Sequence, residues 1–378
     1  MRASAFLYPW DVIGDPDAPA RVADLGVQQV TLASAYHSTR ALTPRHPRHR
    51  VVSAEHAAVY YAPDERRWAG RTLRPYPAGP WAPGEAYARA ADALAAAGLD
   101  VHSWVVLAHN SRLGAEHPDT SVVNAYGDRY PWAPCVARPD VRELLVDLAA
   151  EAAARPGAGG TELESCGWYG FAHLHAHDKT GGVALGDRAQ YLMSLCFCPH
   201  CRAGYAERGL DPRELAASVR AALAPVWRGG GGEPGELPDA GAVLDFRTGV
   251  ARGLQEAAVA AVRAAAPAGF RVLLHADPVA HRCGANTGVD PEHVMGVADG
   301  VVVPCTGGAD ALKAFAPYPG VRAANLTVVG GMGGSPGTLE RDAARAVELG
   351  ATELRLYHAG LASDPDLAAV ASALGRLS

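Results

Sequence analysis

Short apolar runs alternate along the chain with longer stretches in which alanine, leucine and valine recur at helical spacing. The runs predict eight strands at residues 4–10 (SAFLYPW), 28–35 (QQVTLASA), 100–108 (DVHSWVVLA), 160–166 (GTELESC), 271–276 (RVLLHA), 300–304 (GVVVP), 323–329 (AANLTVV) and 353–358 (ELRLYH). Strands that are apolar on both faces suit a parallel sheet covered by helices. Helical periodicity occupies most of the gaps, at residues 17–25, 84–97, 140–154, 211–223, 242–266, 291–297, 309–316 and 337–349. Eight strand–helix units predict an α/β fold of the (β/α)8 TIM-barrel type. An open doubly wound sheet is the competing architecture, but no G-x-G-x-x-G follows the first strand.

Two stretches break the rhythm. Residues 36–83 are rich in Pro, Arg, His and Tyr, and residues 167–205 are irregular as well. Loops this long inside a barrel usually carry function, so both are read as large βα-loop insertions. Residues 228–241 (RGGGGEPGELPDAG) have the composition of a flexible connector. The organisation expected is a single barrel domain over residues 1–378. A glycine-rich segment, residues 330–334, follows the seventh strand and is either a phosphate cradle or a plain loop.

Composition narrows the function classes. The chain has 378 residues, 49% hydrophobic and 20% charged, with a net charge of −6. That balance supplies no basic stripe for a nucleic-acid backbone. No apolar run approaches the length of a membrane span, and residues 1–10 lack the features of a signal peptide. The expected setting is cytoplasmic, with a small-molecule or oligosaccharide substrate, no nucleic acid or membrane partner, and homo-oligomers allowed. Seven cysteines are an odd number for a disulfide framework.

Three of those cysteines crowd into CFCPHC, as Cys196, Cys198 and Cys201. Closely spaced thiols supply ligands for a structural zinc ion, which needs four. Cys135, alone in PWAPC before a helix, is the leading fourth ligand, with His200 and Cys166 as alternatives. A redox role fits less well, because Cys198 and Cys201 do not open an early helix of a thioredoxin-like unit.

A lone Cys before a helix, a strand bearing a Glu, and then CFCPHCRAGY resembles the zinc subsite of the glycoside hydrolase family 42 β-galactosidases. The resemblance covers about residues 133–205. It implies that Cys135, Cys196, Cys198 and Cys201 hold zinc and that Glu164, at the end of the fourth strand, is the acid/base of a glycosidase. The chain departs from that family in three places, the first being a long gap from Glu164 to Cys196. Leu163 precedes Glu164 where the family has Asn. Residues 323–334 contain no carboxylate where the family has its nucleophile.

Glu162 and Glu164 lie two apart on one strand and therefore face the same way. A carboxyl inside a barrel is costly unless paired, and burial raises its pKa toward what a general acid needs. Both are candidate catalytic groups, although either could instead anchor an arginine of a neighbouring strand. Asp277, closing the fifth strand, is the candidate second carboxylate. Aromatics and polar groups at strand ends suit sugar faces. The candidate contacts are Trp10, Tyr36, His37, His109, Asn110, Trp168, His173, His175, His177, His275, Asn325, Tyr357 and His358. The leading expectation is a glycoside hydrolase-like enzyme. A metal-dependent hydrolase or isomerase using His175, His177, Asp178 and His275 is a second reading, and a non-catalytic sugar-binding barrel is a third.

Overall fold

Eight parallel strands close on themselves: β1 (Arg2–Leu7), β2 (Gln29–Tyr36), β3 (Asp100–Val106), β4 (Ala158–Glu164), β5 (Arg271–Asp277), β6 (Gly300–Pro304), β7 (Val321–Thr327) and β8 (Glu353–Tyr357). Each pairs with the next, and β1 pairs with both β2 and β8, so that Ser4 stands beside Gln29 on one side and Arg355 on the other. The computed structural model describes residues 1–171, 178–229 and 232–377. The expected (β/α)8 barrel is the fold found.

Helices cover the outside: α1 (Ala18–Ala23), α2 (Ala86–Ala96), α3 (Pro139–Ala153), α4 (Ala240–Ala265), α5 (Pro291–Val297), α6 (Leu339–Glu348) and α7 (Asp364–Leu377). Proline opens α3 and α5 at the first helical position, where its missing N–H costs nothing. Asp290 caps α5 by accepting from His293 N–H at 3.1 Å.

The structure differs from the sequence expectation at particular places. β1 stops at Leu7 instead of running to residue 10, because Pro9 cannot extend the ladder and starts a 3-10 turn, Pro9–Asp11. The helix expected over 309–316 is a 3-10 turn, Asp310–Ala314. Helix α7 was not expected. Segment 167–205, read as irregular, contains two helices, Asp187–Met193 and Pro199–Ala206. The first insertion holds a hairpin, Thr39–Leu42 with Val51–Ala54. A second hairpin, Ser121–Val123 with Arg129–Pro134, follows β3. In the glycine-rich loop Gly330 N–H donates to Asp366 at 3.3 Å.

A buried carboxylate on α3 pins the first insertion to the barrel. Glu151 accepts from Trp68 Nε1 (2.9 Å), Tyr61 Oη (3.2 Å) and Asp64 N (2.6 Å). Three donors converging on one charge are worth more than neutral hydrogen bonds. The insertion, which follows the C-terminal end of β2, is thereby fixed to the helical layer outside the barrel.

Candidate active site

Alternation along the strands puts Ser4 and Phe6 of β1, Trp104 of β3, Glu162 and Glu164 of β4, His275 of β5, and Arg355 and Tyr357 of β8 inside the barrel. Their mutual contacts show it. Glu162 accepts from Arg355 Nε at 2.5 Å and from Thr31 Oγ1 at 3.2 Å. Glu164 accepts from Trp104 Nε1 at 2.8 Å. Phe6 packs on Trp104, His275 and Tyr357, with ring centroids 4.7, 5.8 and 5.6 Å away.

The two glutamates occupy different electrostatic layers. Burial alone would raise the pKa of Glu162, but the adjacent Arg355 guanidinium, together with His275, holds it down at about 2. Arg355 is fully buried and also bonds Glu353 at 2.9 Å, which in turn takes Arg271 at 2.9 Å. Glu162 therefore belongs to a closed ion network beneath the rim. Glu164, one inward step higher, meets no guanidinium among the described residues. Burial raises its pKa, and the nearby His275 and the Trp104 hydrogen bond only partly oppose that.

The backbone fixes Glu164 at the strand end. Ser165 follows it in a left-handed conformation, φ 56°, a region costing a non-glycine residue roughly 1–2 kcal/mol. The kink is held on both sides, since Ser165 N–H donates to Ala285 O at 2.9 Å and Ala108 N–H donates to Ser165 O at 3.1 Å. Loops after β3 and β5 thus clamp the end of β4.

Aromatic rings line the space around Glu164. Tyr36 packs edge-on to Trp104 at 4.5 Å, and its hydroxyl is 3.5 Å from that of Tyr357. From Tyr36 a ladder of rings runs along the rim, through His37 (4.2 Å) and His109 (4.3 Å) to Tyr169 (4.6 Å). On the other side Tyr8 stacks on His358 at 4.3 Å and on Trp10 at 4.5 Å. Burial pushes His358 down to about 3, so its ring is neutral, and the Tyr357–His358 peptide is cis.

Of the other candidates, Asn110 and Trp168 are engaged in structural contacts. Asn110 caps the short helix Ser111–Glu116 through Leu113 N–H at 2.9 Å. Trp168 donates to Arg247 O at 2.9 Å, and the Arg247 guanidinium lies 4.3 Å over its ring. Asn325 lies beside Arg355 in the β7–β8 register, and its Oδ1 is buried with no partner among the described residues. Asp277 lies two residues beyond His275 on the same face. Its Oδ1 accepts from Val279 N–H at 2.8 Å and its Oδ2 is 3.3 Å from Arg282 Nε. His173, His175 and His177 lie outside the described residues. Asp178 is exposed, and His275 Nε2 is 3.6 Å from Glu162.

Sequence reasoning missed Trp104, which orients Glu164, and Arg355, which neutralises Glu162. Arg355 left a signal, a lone charge inside the apolar run ELRLY. A charge there demands an internal counter-ion. Trp104 left none beyond sharing the inward parity of Glu164 on the adjacent strand.

In the loops after β3 and β4 the four predicted sulfurs converge. Cys135, Cys196, Cys198 and Cys201 are all buried, with their sulfur atoms within 4.8 Å of one another. Cys135 Sγ lies 3.6 Å from Cys198 Sγ and 3.5 Å from Cys201 Sγ. The sulfurs of a tetrahedral zinc site with ~2.3 Å bonds would be about 3.8 Å apart. The donor set therefore fits a metal ion of that kind. His200 is exposed and Cys166 is not part of the set. Cys135 directly follows the hairpin after β3, Cys196 accepts from Val123 N–H at 3.5 Å, and Cys198 immediately precedes the helix carrying Cys201. The cluster thus joins the loops after β3 and β4, the two strands that carry Trp104 and Glu164.

No family model and no curated protein matches the sequence. Among solved structures, the barrel is similar to an α-L-fucosidase isoenzyme 2 from Paenibacillus thiaminolyticus, with a TM-score of 0.61 and 12% identity. It is also similar to β-galactosidases from Bacillus circulans sp. alkalophilus (0.58, 12%) and Marinomonas ef1 (0.57, 11%). All of this chain is covered in each case, but only 49%, 56% and 59% of those chains, so it spans between about half and three fifths of their length. At such identity the likeness establishes the shared fold. No helix among the described residues is long and apolar enough to cross a membrane.

Proposed function

We propose that this chain is a glycoside hydrolase-like enzyme in which Glu164 is the general acid/base. The observation that carries the reading is a buried carboxyl at the C-terminal end of β4, its pKa raised by burial and its Oε2 held by Trp104 within a girdle of tyrosines and histidines. The similarity to fucosidase and β-galactosidase barrels supports it.

In this reading Trp104 orients the carboxyl so that its other oxygen presents the proton to the glycosidic oxygen. Bond cleavage leaves Glu164 as a carboxylate, which takes the proton of the incoming water if Asp277 has attacked the anomeric carbon; if Asp277 activates water instead, Asp277 takes that proton. Asp277, beside the Arg282 guanidinium, is the second carboxylate, attacking the anomeric carbon or activating water. The ring ladder Tyr36–His37–His109–Tyr169 offers flat faces to sugar C–H surfaces and nitrogens to hydroxyls. Glu162 is a positioning residue. It holds Arg355 and His275 under the site, and its negative charge adds to the rise in the Glu164 pKa.

The four cysteines are assigned a structural zinc ion, held by Cys135, Cys196, Cys198 and Cys201. When bound, zinc crosslinks two loops and takes no part in bond cleavage.

The test is turnover of a panel of aryl glycosides covering galactosides, glucosides, fucosides and 2-acetamido sugars. At least one is expected to be hydrolysed, and both Glu164→Gln and Asp277→Asn are expected to lower kcat by 10²–10⁴. A folded, inactive wild-type protein that still binds sugars would instead establish a non-catalytic barrel.

A further inference from the structure

A cavity of about 480 Å³ opens between the first insertion and the start of α2. Its size is that of a ligand site rather than a packing defect. Two tryptophans form walls, Trp10 from the loop after β1 and Trp81 from the insertion. The rim carries Arg48, His49 and Arg89, with Ser53 beside them, and no carboxylate lines it. Arg89 has no ion-pair partner among the described residues, and Arg48 meets only the Gly14 carbonyl, 3.3 Å from its Nε. Many other arginines of this acidic protein are paired with Asp or Glu, as Arg67 and Arg71 are with Asp147. The indole N–H groups of Trp10 and Trp81 are buried with no acceptor among the described residues, and buried donors of that kind call for a partner.

Trp10 connects this cavity to the site. It stacks on Tyr8 at 4.5 Å, Tyr8 stacks with Trp104 at 5.9 Å, and Trp104 bonds Glu164. The cavity therefore begins three rings from the proposed acid, on the same rim of the barrel.

We propose that this cavity is a binding subsite for an acidic sugar unit, one bearing a carboxylate or a sulfate. The indole faces stack on the pyranose ring, and Arg48 and Arg89 receive the anionic substituent. Asp15, which lines the adjoining cavity with the same two arginines, is bonded by Arg21, so Arg48 and Arg89 stand as cations without an ion pair among the described residues in a chain of net charge −6 and focus the field on one place. The inference rests on the carbohydrate reading of the barrel and adds the charge class of the ligand.

Binding is measured by calorimetry on Glu164→Gln protein, so that turnover does not intervene. The probes are a uronate-terminated oligosaccharide, a sulfated oligosaccharide, the neutral counterpart with its carboxylate reduced to the alcohol, and inorganic sulfate. At least one acidic saccharide is expected to bind tenfold or more tightly than the neutral one. That preference should shrink with added salt and vanish in the Arg48→Ala/Arg89→Ala double variant. Both arginines are exposed, and Arg48→Lys with Arg89→Lys, which retains the charge, is expected to keep part of the preference. Equal affinity for acidic and neutral saccharides overturns the inference and leaves the carbohydrate reading standing. So does a preference retained without the two arginines, or sulfate alone competing as well as the sulfated sugar. Absence of binding by every saccharide overturns both.

Discussion

Glu162 and Glu164 are the same residue type, two positions apart and facing the same interior, and their surroundings drive them in opposite directions. Glu162 lies against Arg355 and stays ionised down to about pH 2, whereas Glu164 is buried beside an indole and favours its proton. The stability consequences have opposite signs. The pairing of Glu162 stabilises the fold above its unfolded pKa and is lost as pH falls toward 2. The fold tolerates Glu164 fully only below its unfolded pKa, and that contribution is lost as pH rises through its raised value. Glu162→Gln is expected to cost roughly 3 kcal/mol in denaturant unfolding near pH 7, the lower end for breaking a buried pair, because Glu353 still holds Arg355. It should also flatten the acid limb of stability. An unchanged midpoint would remove Glu162 from the network. The shared face of the two glutamates was legible from their spacing. Their partition was not, because Arg355 is 193 residues away in sequence and only barrel closure brings it in.

At the scale of elements, two clamps hold the rim. One is the sulfur cluster joining the hairpin after β3 to the helices after β4. The CFCPHC spacing and the lone Cys135 were readable because metal ligation repeats the same local chemistry. The short helices around them were not, since Asp187–Met193 and Pro199–Ala206 have fewer than nine residues each and depend on packing rather than propensity. Purified protein is expected to carry one zinc per chain. Cys135→Ser should lose most of it and raise amide exchange in residues 121–134 and 196–206 together. Retained protection in the metal-free variant would contradict the crosslink. The second clamp is Asp11, which accepts from Tyr8 N–H at 2.7 Å beneath the loop after β8. Arg45 reaches over that loop to the Ala359 carbonyl at 2.8 Å. Burial raises Asp11 to about 7, with Tyr8 N–H and Arg45 pulling the other way. Its contribution is complete below the unfolded value of 3.8 and is lost as pH rises through 7, a change of roughly 4 kcal/mol. Unfolding measured at several pH values should show Asp11→Asn lacking that decline. An identical decline in the variant would place the proton elsewhere.

For the whole molecule, the barrel was legible because each buried parallel strand is a short apolar run bounded by polar residues, and eight such runs leave few architectures. Strand ends were less so, and β1 shows why: SAFLYPW is apolar from Ala5 onward, but Pro9 and Asp11 turn the chain three residues early. The polar interior was the least legible part. Glu162, Arg355, Glu353 and Arg271 support one another across strands from the two halves of the chain. Closure turns these scattered charges into a platform, and on that platform stands the carboxyl assigned as proton donor. The most direct test of that assignment compares leaving groups. Glu164→Gln is expected to lose 10²–10⁴ in kcat/KM on glycosides of poor leaving groups, such as alkyl or methoxyphenyl glycosides, which need a proton. On a dinitrophenyl glycoside, which departs without one, the loss should be far smaller. Equal losses on both classes, or none on either, would contradict a general acid at position 164.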